Sequence, residues 1–352
     1  MKHLLLILLA AAVFAACHES DDNNSDDTPI SPNSDGLHVV DGKFVADAAG
    51  NRLVLRGVNM GSAFADGFGM AEIPEIEKTG ANAVRLVLQR QYDNSGTGTM
   101  TAAQIEPLIT SCIDRGMVPV LELHDYTGTS DVSGSLGQAT AWWTSADMKP
   151  MLLKYQKSII INIANEPDDG SATGNTYSTA SMDAVRNLRA AGYSCPLMID
   201  APGWGKDPEF FVQHGKELMD ADPLHNLILS VHTYWPTTGA FGNYSDAQIT
   251  AYLNNLGSSG LPIVLGEIAA IDDQDANGIK PINYKLIMRL CQQNQVGYLV
   301  WWWGFATPAG SNNAESMTPD GTYSGLLGAG KIMAVTDANS IKNTAQRADG
   351  LK

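Results

Sequence analysis

Eight short runs of β-branched and aliphatic residues, each followed by a stretch long enough for one helix and two loops, constrain the fold of this chain more than any other feature. They lie at Leu53–Leu55, Ala83–Leu88, Val118–Leu123, Ile159–Ala164, Leu197–Ile199, Leu227–Val231, Pro262–Leu265 and Tyr298–Trp303. Most are continuously apolar rather than alternating, the pattern of strands buried on both faces of a parallel sheet. Parallel neighbours need a crossover, and the spacing of roughly 30 to 40 residues fits one helix per crossover. The segments Ala102–Arg115, Tyr177–Ala191 and Asn283–Asn294 carry apolar residues at helical spacing, and Gly80, Gly116, Gly192 and Gly297 fall where helices should end. Eight such units predict a single (β/α)8 barrel domain over residues 37–352. A doubly wound sheet is the alternative, weakened because no glycine-rich dinucleotide fingerprint follows the first strand. Before the barrel, residues 37–45 and 52–56 flank the turn-rich stretch 47–51 and predict a hairpin leading into an internal strand that ends at Gly57-Val58-Asn59. An eighth helix is expected around Ala338–Arg347, after a polar loop near the barrel mouth.

The amino terminus reads differently. Met1-Lys2-His3 and the apolar stretch Leu4–Ala16 form a secretory signal too short to span a bilayer as a stable helix. Ala15-Ala16-Cys17 resembles the bacterial lipobox, which implies lipid modification of Cys17; Phe14 stands where that pattern has Leu, so ordinary signal-peptidase cleavage is the alternative. Residues 17–36 are nearly all acidic or small and polar and cannot bury enough apolar surface to fold, so they read as a tether. The acidic run after Cys17 also resembles the surface-export signal of Bacteroidetes lipoproteins, a plain spacer being the other reading. The expectation is an outer-membrane lipoprotein, facing the cell surface or the periplasm, with the lipid as its sole membrane contact. Cys112, Cys195 and Cys291 show no metal-type spacing and read as buried small hydrophobes, leaving at least one thiol free.

A formal net charge of −16 would repel nucleic acid and anionic lipid headgroups, and a neutral ligand such as a carbohydrate suits it better. The strand ends then matter most, because barrels of this kind place their chemistry at the carboxyl rim. The predicted ends deliver Asn59, Arg85, His124-Asp125, Asn165-Glu166, Asp200, His232 with Tyr234, Glu267 and Trp301. Glu166 and Glu267 come from the fourth and seventh strands and face one another across the barrel. A lone glutamate at a strand end is usually a capping or surface residue, whereas two carboxyls converging on one cleft are the minimum equipment for glycoside hydrolysis. His124 and His232 lack a local metal-ligand pattern such as HExxH, so neither a metal nor any other cofactor is expected; with Arg85 they are read as groups that hold carboxylates and sugar hydroxyls in place. Of the chain's 7 tryptophans, Trp204 and Trp301 are read as stacking platforms with the indole N–H left for a hydroxyl, while alternation points Trp302 away from Trp301 into the core.

Leu55-Arg56-Gly57-Val58-Asn59, Thr79–Arg85, Leu121–Asp125, Ile161–Pro167, Ser230–Tyr234 and Leu265-Gly266-Glu267, in this order, resemble glycoside hydrolase family 5. The resemblance spans about Leu37 to Trp303 and implies a retaining hydrolase of β-1,4-linked polysaccharide. It implies Glu166 as general acid/base, Glu267 as nucleophile, Asn165 as ligand of the 2-hydroxyl, Tyr234 as a hydrogen-bond donor to the nucleophile, Arg85, His124 and His232 as the polar floor, and Trp301 as the platform under the reacting sugar. Within the family, residues 120–128, 159–166 and 198–205 are most similar to bacterial endo-β-1,4-mannanases. Pro167-Asp168-Asp169, residues 232–236 and Ile268-Ala269-Ala270 depart from that pattern, which keeps an endo-β-1,4-glucanase as the alternative. A non-catalytic glycan-binding lipoprotein is a further reading, disfavoured because a binder would need only the aromatic platforms. A monomer is expected.

Overall fold

The computed structural model describes residues 35–90, 100–240, 242–305 and 314–351. The signal segment 1–16, the lipidation candidate Cys17 and all but the end of the tether 17–36 lie outside the described residues. Eight parallel strands close into a barrel: β1 (Arg56–Met60), β2 (Ala83–Leu88), β3 (Val118–Leu123), β4 (Ile160–Asn162), β5 (Leu197–Asp200), β6 (Leu227–His232), β7 (Ile263–Ile268) and β8 (Gly297–Val300). They run in sequence order around the ring, β8 pairing with both β7 and β1, so no edge is left open. Helices surround it, among them α1 (Ile73–Glu77), α2 (Ala102–Asp114), α3 (Val132–Trp143), α4 (Met148–Tyr155), α5 (Gly174–Ala190), α6 (Pro208–Ala221), α7 (Asp246–Ser258) and α8 (Tyr284–Asn294). The predicted (β/α)8 architecture is the one observed.

Every residue of the eight strands is buried, which is why the runs read as continuously apolar. Ile160 and Ile161 are fully covered, and each such side chain contributes about 1.5–3 kcal/mol relative to exposure. The helices begin at capping residues: Thr101 with Gln104 on α2 and Ser245 with Gln248 on α7 form reciprocal capping boxes.

Four expectations need correction. The first barrel strand is Arg56–Met60, and Arg52–Leu53 instead completes a small antiparallel sheet with His38–Val40 and Phe44–Ala46. The misplacement has a cause: Arg56 is buried inside β1, its guanidinium donating to the Val296 carbonyl at 2.7 Å and Gln292 Oε1 at 3.0 Å and lying over the Tyr298 ring. Gly80, Gly116 and Gly192 do take left-handed conformations, but Gly297 opens β8 and the left-handed cap of α8 is Gln295 at φ 56°. The expected helix 338–347 is instead a π-helical turn Ile332–Thr336 followed by the short helix Ile341–Thr344. Trp302 is buried, yet it does not alternate away from Trp301, because β8 has already ended at Val300; the two indoles lie 5.9 Å apart at 29°.

Both ends of the described chain pack at the amino-terminal rim of the barrel. The Leu37 N–H donates to the Lys157 carbonyl just before β4, and the next residue, Ser158, donates its hydroxyl to the Leu351 carbonyl at 2.7 Å. Asn82, ahead of β2, donates to the Gln346 carbonyl. Cys112, Cys195 and Cys291 are free and buried, and burial pushes each thiol up to about 12, so they behave as the inert hydrophobes expected. Among the described residues no helix is long and apolar enough to cross a membrane.

Candidate active site

At the carboxyl rim lies a cavity of about 540 Å³ whose walls include His124, Asn165, Glu166, Trp204, Tyr234, Glu267 and Trp301. Arg85 and His232 lie buried beneath it, so the nine residues picked out as catalytic or substrate-binding converge on one place.

Arg85 is the hub. It sits within β2 rather than at its end, and its fully buried side chain rises through the barrel interior. It donates to Asn162 Oδ1 at 2.8 Å, Asn59 Oδ1 at 2.9 Å, Asn165 Oδ1 at 2.7 Å and Glu267 Oε1 at 2.8 Å. Glu122 and Asp200 lie 3.6 and 3.4 Å away. Burial alone would make the guanidinium easier to deprotonate, but Glu122, Asp200 and Glu267 outweigh it and hold the charge firmly. Removing any of these partners would leave a buried charge undercompensated.

Glu267 lies on β7 where the pairing register with β6 shifts between Leu265 and Glu267, an irregularity of the kind that re-aims a side chain near a site. Its second oxygen accepts from the Tyr234 hydroxyl at 2.7 Å. Glu166 follows β4 by four residues and adopts φ 39°, unusual for a side-chain-bearing residue and the sign of a tightly specified loop. Its N–H donates to Asp200 Oδ2 at 3.1 Å, and its Oε1 lies 2.6 Å from His232 Nδ1. Oxygen atoms of Glu166 and Glu267 and a nitrogen of His232 lie within 4.8 Å of one another.

The two glutamates are unequally placed. Burial raises Glu166 above the ordinary glutamate range, His232 opposing and Glu267 adding to the shift. Burial would lower His232, but the Glu267 and Asp200 carboxylates push it up to about 10. Asp200 would be raised by burial, yet His232 and Arg85 hold it below the usual carboxylate range. The imidazole of His232 thus lies among the carboxyl groups of Glu166, Glu267 and Asp200, and the Glu267 and Asp200 carboxylates favour its protonated form.

His124 stacks on Trp301 with ring centroids 5.9 Å apart at 9°, and its Nδ1 faces Glu122 at 3.2 Å. Burial lowers His124 and Glu122 more than restores it, for a net rise. Trp301 corrects one expectation: its indole N–H donates to Glu315 Oε2 at 2.9 Å, so it is not left open for a hydroxyl. Burial, with Asp273 and Glu267 nearby, pushes Glu315 up to about 8. Of the other tryptophans, Trp143, Trp235 and Trp303 are fully buried, and Trp142 packs edge-on against Trp143.

Sequence reasoning gave no role to Glu122, Asn162, Asp200 or Glu315. Glu122 had a signal, a carboxylate two residues before His124 and so on the same inward face of β3. Glu315, on the loop after β8, had none.

These protonation states make stability depend on pH. The unfolded chain loses the Glu315 and His232 protons near about 4.3 and 6.5, whereas the fold keeps them to about 8 and about 10. The folded state therefore binds more protons than the unfolded state between those limits, and stability falls as pH rises through them. Asp200 acts oppositely, losing its contribution only below about pH 4. Thermal unfolding followed across pH should give the highest Tm near about pH 5, declining steadily toward pH 10; a Tm that rises from pH 6 to 9 would contradict these assignments.

A barrel whose rim sets Glu267, held by Arg85 and Tyr234 on β7, against Glu166 just past β4, with aromatic faces beside both, carries the equipment of a glycoside hydrolase. Residues 46–307 match the profile described as cellulase (glycosyl hydrolase family 5), and the chain belongs to that family. A mannan endo-1,4-β-mannosidase of Cellvibrio japonicus (strain Ueda107) is 31% identical over 314 residues, covering 88% of this chain and 68% of that protein. The catalytic domain of a mannanase from Streptomyces sp. SirexAA-E superposes with a TM-score of 0.77 at 27% identity, covering 95% of this chain and 99% of that one. The β-mannanase of Thermomonospora fusca, solved as a mannotriose complex, gives a TM-score of 0.75 at 28% identity over 90% of this chain and 99% of that one.

Proposed function

We propose that this chain is an endo-acting, retaining β-1,4-mannanase. The observation that carries the chemistry is the approach of Glu166 and Glu267 to within 4.8 Å, oxygen to oxygen. Retaining enzymes hold their carboxyls about 5–5.5 Å apart, whereas inverting ones leave about 6.5–9.5 Å for a water. Similarity to mannanases over most of the chain supports the substrate, and aromatic faces on either side of the carboxyl pair suit a polymer cut within its length.

In the first step, Glu267, oriented by Arg85 and Tyr234, attacks the anomeric carbon, and Glu166 gives its proton to the departing glycosidic oxygen. In the second, Glu166 takes a proton from water, whose oxygen displaces the Glu267 carboxylate from the anomeric carbon. Asn165, which accepts from Arg85 and donates to Thr127 at 2.9 Å, is the residue assigned to the 2-hydroxyl, the stereocentre that separates mannose from glucose. Trp301, stacked on His124, is the platform for the sugar being cleaved.

Hydrolysis of mannan and glucomannan above carboxymethylcellulose, lichenan and xylan is the expected result of a substrate screen, and NMR of the first product should show the β-anomer. Preference for carboxymethylcellulose would move the assignment to a glucanase, and an α-anomer would overturn the mechanism.

The proposal includes attachment to a bacterial outer membrane through a lipid on Cys17, with the domain facing the cell surface or the periplasm. Cys17→Ser should move the protein from the membrane fraction to the soluble one; unchanged fractionation would refute the anchor.

A further inference from the structure

Glu166 has to meet demands that its own place in the chain does not satisfy. It gives up a proton and takes one back while keeping its carboxyl aimed at the glycosidic oxygen, yet it lies four residues past β4, in a loop, at φ 39°. A side-chain-bearing residue keeps that backbone only when its surroundings specify it. Its carbonyl accepts from the Gly128 and Asp168 N–H groups at 2.8 Å each. Its own N–H is held by a side chain, donating at 3.1 Å to Oδ2 of Asp200, the last residue of β5.

The same Asp200 oxygen reaches the other end of Glu166 through an imidazole. It lies 3.5 Å from His232 Nε2, while His232 Nδ1 lies 2.6 Å from Glu166 Oε1. The ring has no room to turn away: a Cβ at Gly205 would lie 2.8 Å from its Cγ, and one at Gly266 2.9 Å from its Nε2. One carboxylate therefore grips the acid at its backbone and, through His232, at its carboxyl. Asp200 is itself fixed. Asn162 Nδ2 donates to its Oδ1 at 3.1 Å, Arg85 to its Oδ2 at 3.4 Å, and the Tyr177 hydroxyl on α5 to its carbonyl at 2.7 Å. It is buried, and although burial opposes ionisation, His232 and Arg85 keep it a carboxylate at neutral pH. A carboxylate facing Nε2 favours a proton on that nitrogen and leaves Nδ1 to answer the state of Glu166.

We propose that Asp200 is the positioning residue of the acid/base: it sets the loop that carries Glu166 and fixes the imidazole against which the Glu166 carboxyl rests. It serves the two proton transfers and not the attack on the anomeric carbon. Glu267 is oriented by other groups, Arg85 at 2.8 Å and Tyr234 at 2.7 Å, and Arg85 keeps Glu267, Glu122 and three asparagine partners when Asp200 loses its charge. Loss of Asp200 should therefore be felt in proportion to how much a leaving group needs a proton, which a general loosening of the barrel would not produce.

The inference rests on the retaining mannanase reading, and the test separates the two. Wild type, Asp200→Asn, Glu166→Gln and the double variant are compared on mannopentaose, whose leaving sugar must be protonated, and on 2,4-dinitrophenyl β-mannobioside, whose leaving group need not be. Asp200→Asn should lower kcat/KM on mannopentaose about 100-fold. On the aryl glycoside kcat/KM should fall less than about threefold, while kcat and KM fall together, because the water step still needs the base. Added to Glu166→Gln, Asp200→Asn should cost less than about threefold on mannopentaose, since both changes remove the same proton transfer. Tm reports the folding of each variant, and one measurement needs no variant: in ¹⁵N NMR of wild type, His232 Nε2 should carry a proton from about pH 5 to about pH 8. Equal losses on both substrates, no loss on either, additive losses in the double variant, or a His232 Nε2 without a proton would overturn the proposal. If wild type cleaves neither substrate, the mannan reading is what fails, and cellopentaose with 2,4-dinitrophenyl β-cellobioside decides the part of Asp200 by the same ratio.

Discussion

Glu267→Ala is expected to lower kcat on β-1,4-mannan by about 10⁵-fold, a loss of about 7 kcal/mol of transition-state stabilisation. The size follows from its part: without it no covalent intermediate forms, and the route through two easier steps closes. The variant should fold with reduced stability, since Arg85 loses one carboxylate but keeps Asn59, Asn162, Asn165, Glu122 and Asp200 as partners. Glu267→Gln, which fills the same space, should be as inactive. Azide supplies the sharper readout. In Glu267→Ala it can enter from the vacated face and displace the leaving group once, giving an α-glycosyl azide; a β-azide would show that the attacking face had been misassigned.

Glu166→Gln should cost about 10³-fold on mannan, within the range general acid catalysis provides. The loss should depend on the leaving group, because a sugar alkoxide needs the proton and fluoride or dinitrophenolate scarcely does. With such activated substrates the first step outruns the second, so a burst of product and an accumulated glycosyl-enzyme should appear, detectable by intact-protein mass spectrometry. The wild-type rate should decline on the alkaline side as Glu166, raised by burial, finally ionises. In the variant that alkaline decline in the glycosylation step should vanish; its persistence would assign the limb to another group.

Much of the fold was legible in the sequence because a parallel barrel is buried on both faces of every strand. The Ile-rich run into β4 and the runs of β2, β3 and β6 announce themselves for that reason. At the first strand, where reading failed, side-chain hydrogen bonding had overridden hydropathy. Arg56 broke the apolar pattern of β1 while being buried by its bonds to Val296 and Gln292, partners some 240 positions away in the chain. The carboxylates and histidines at the rim were visible as strand-end residues. Their hierarchy was not: Asp200 contacting Arg85, His232 and the Glu166 backbone, or Glu315 accepting from the Trp301 indole N–H from a loop after β8, depends on distances between elements that no local pattern encodes.

The two ends of the described chain meet at the amino-terminal rim, where Leu37 is tied to Lys157 and Leu351 to Ser158, while the cleft opens at the opposite rim. Neither described end therefore crosses the mouth of the barrel, and a handle joined to either one leaves from the face opposite the cleft.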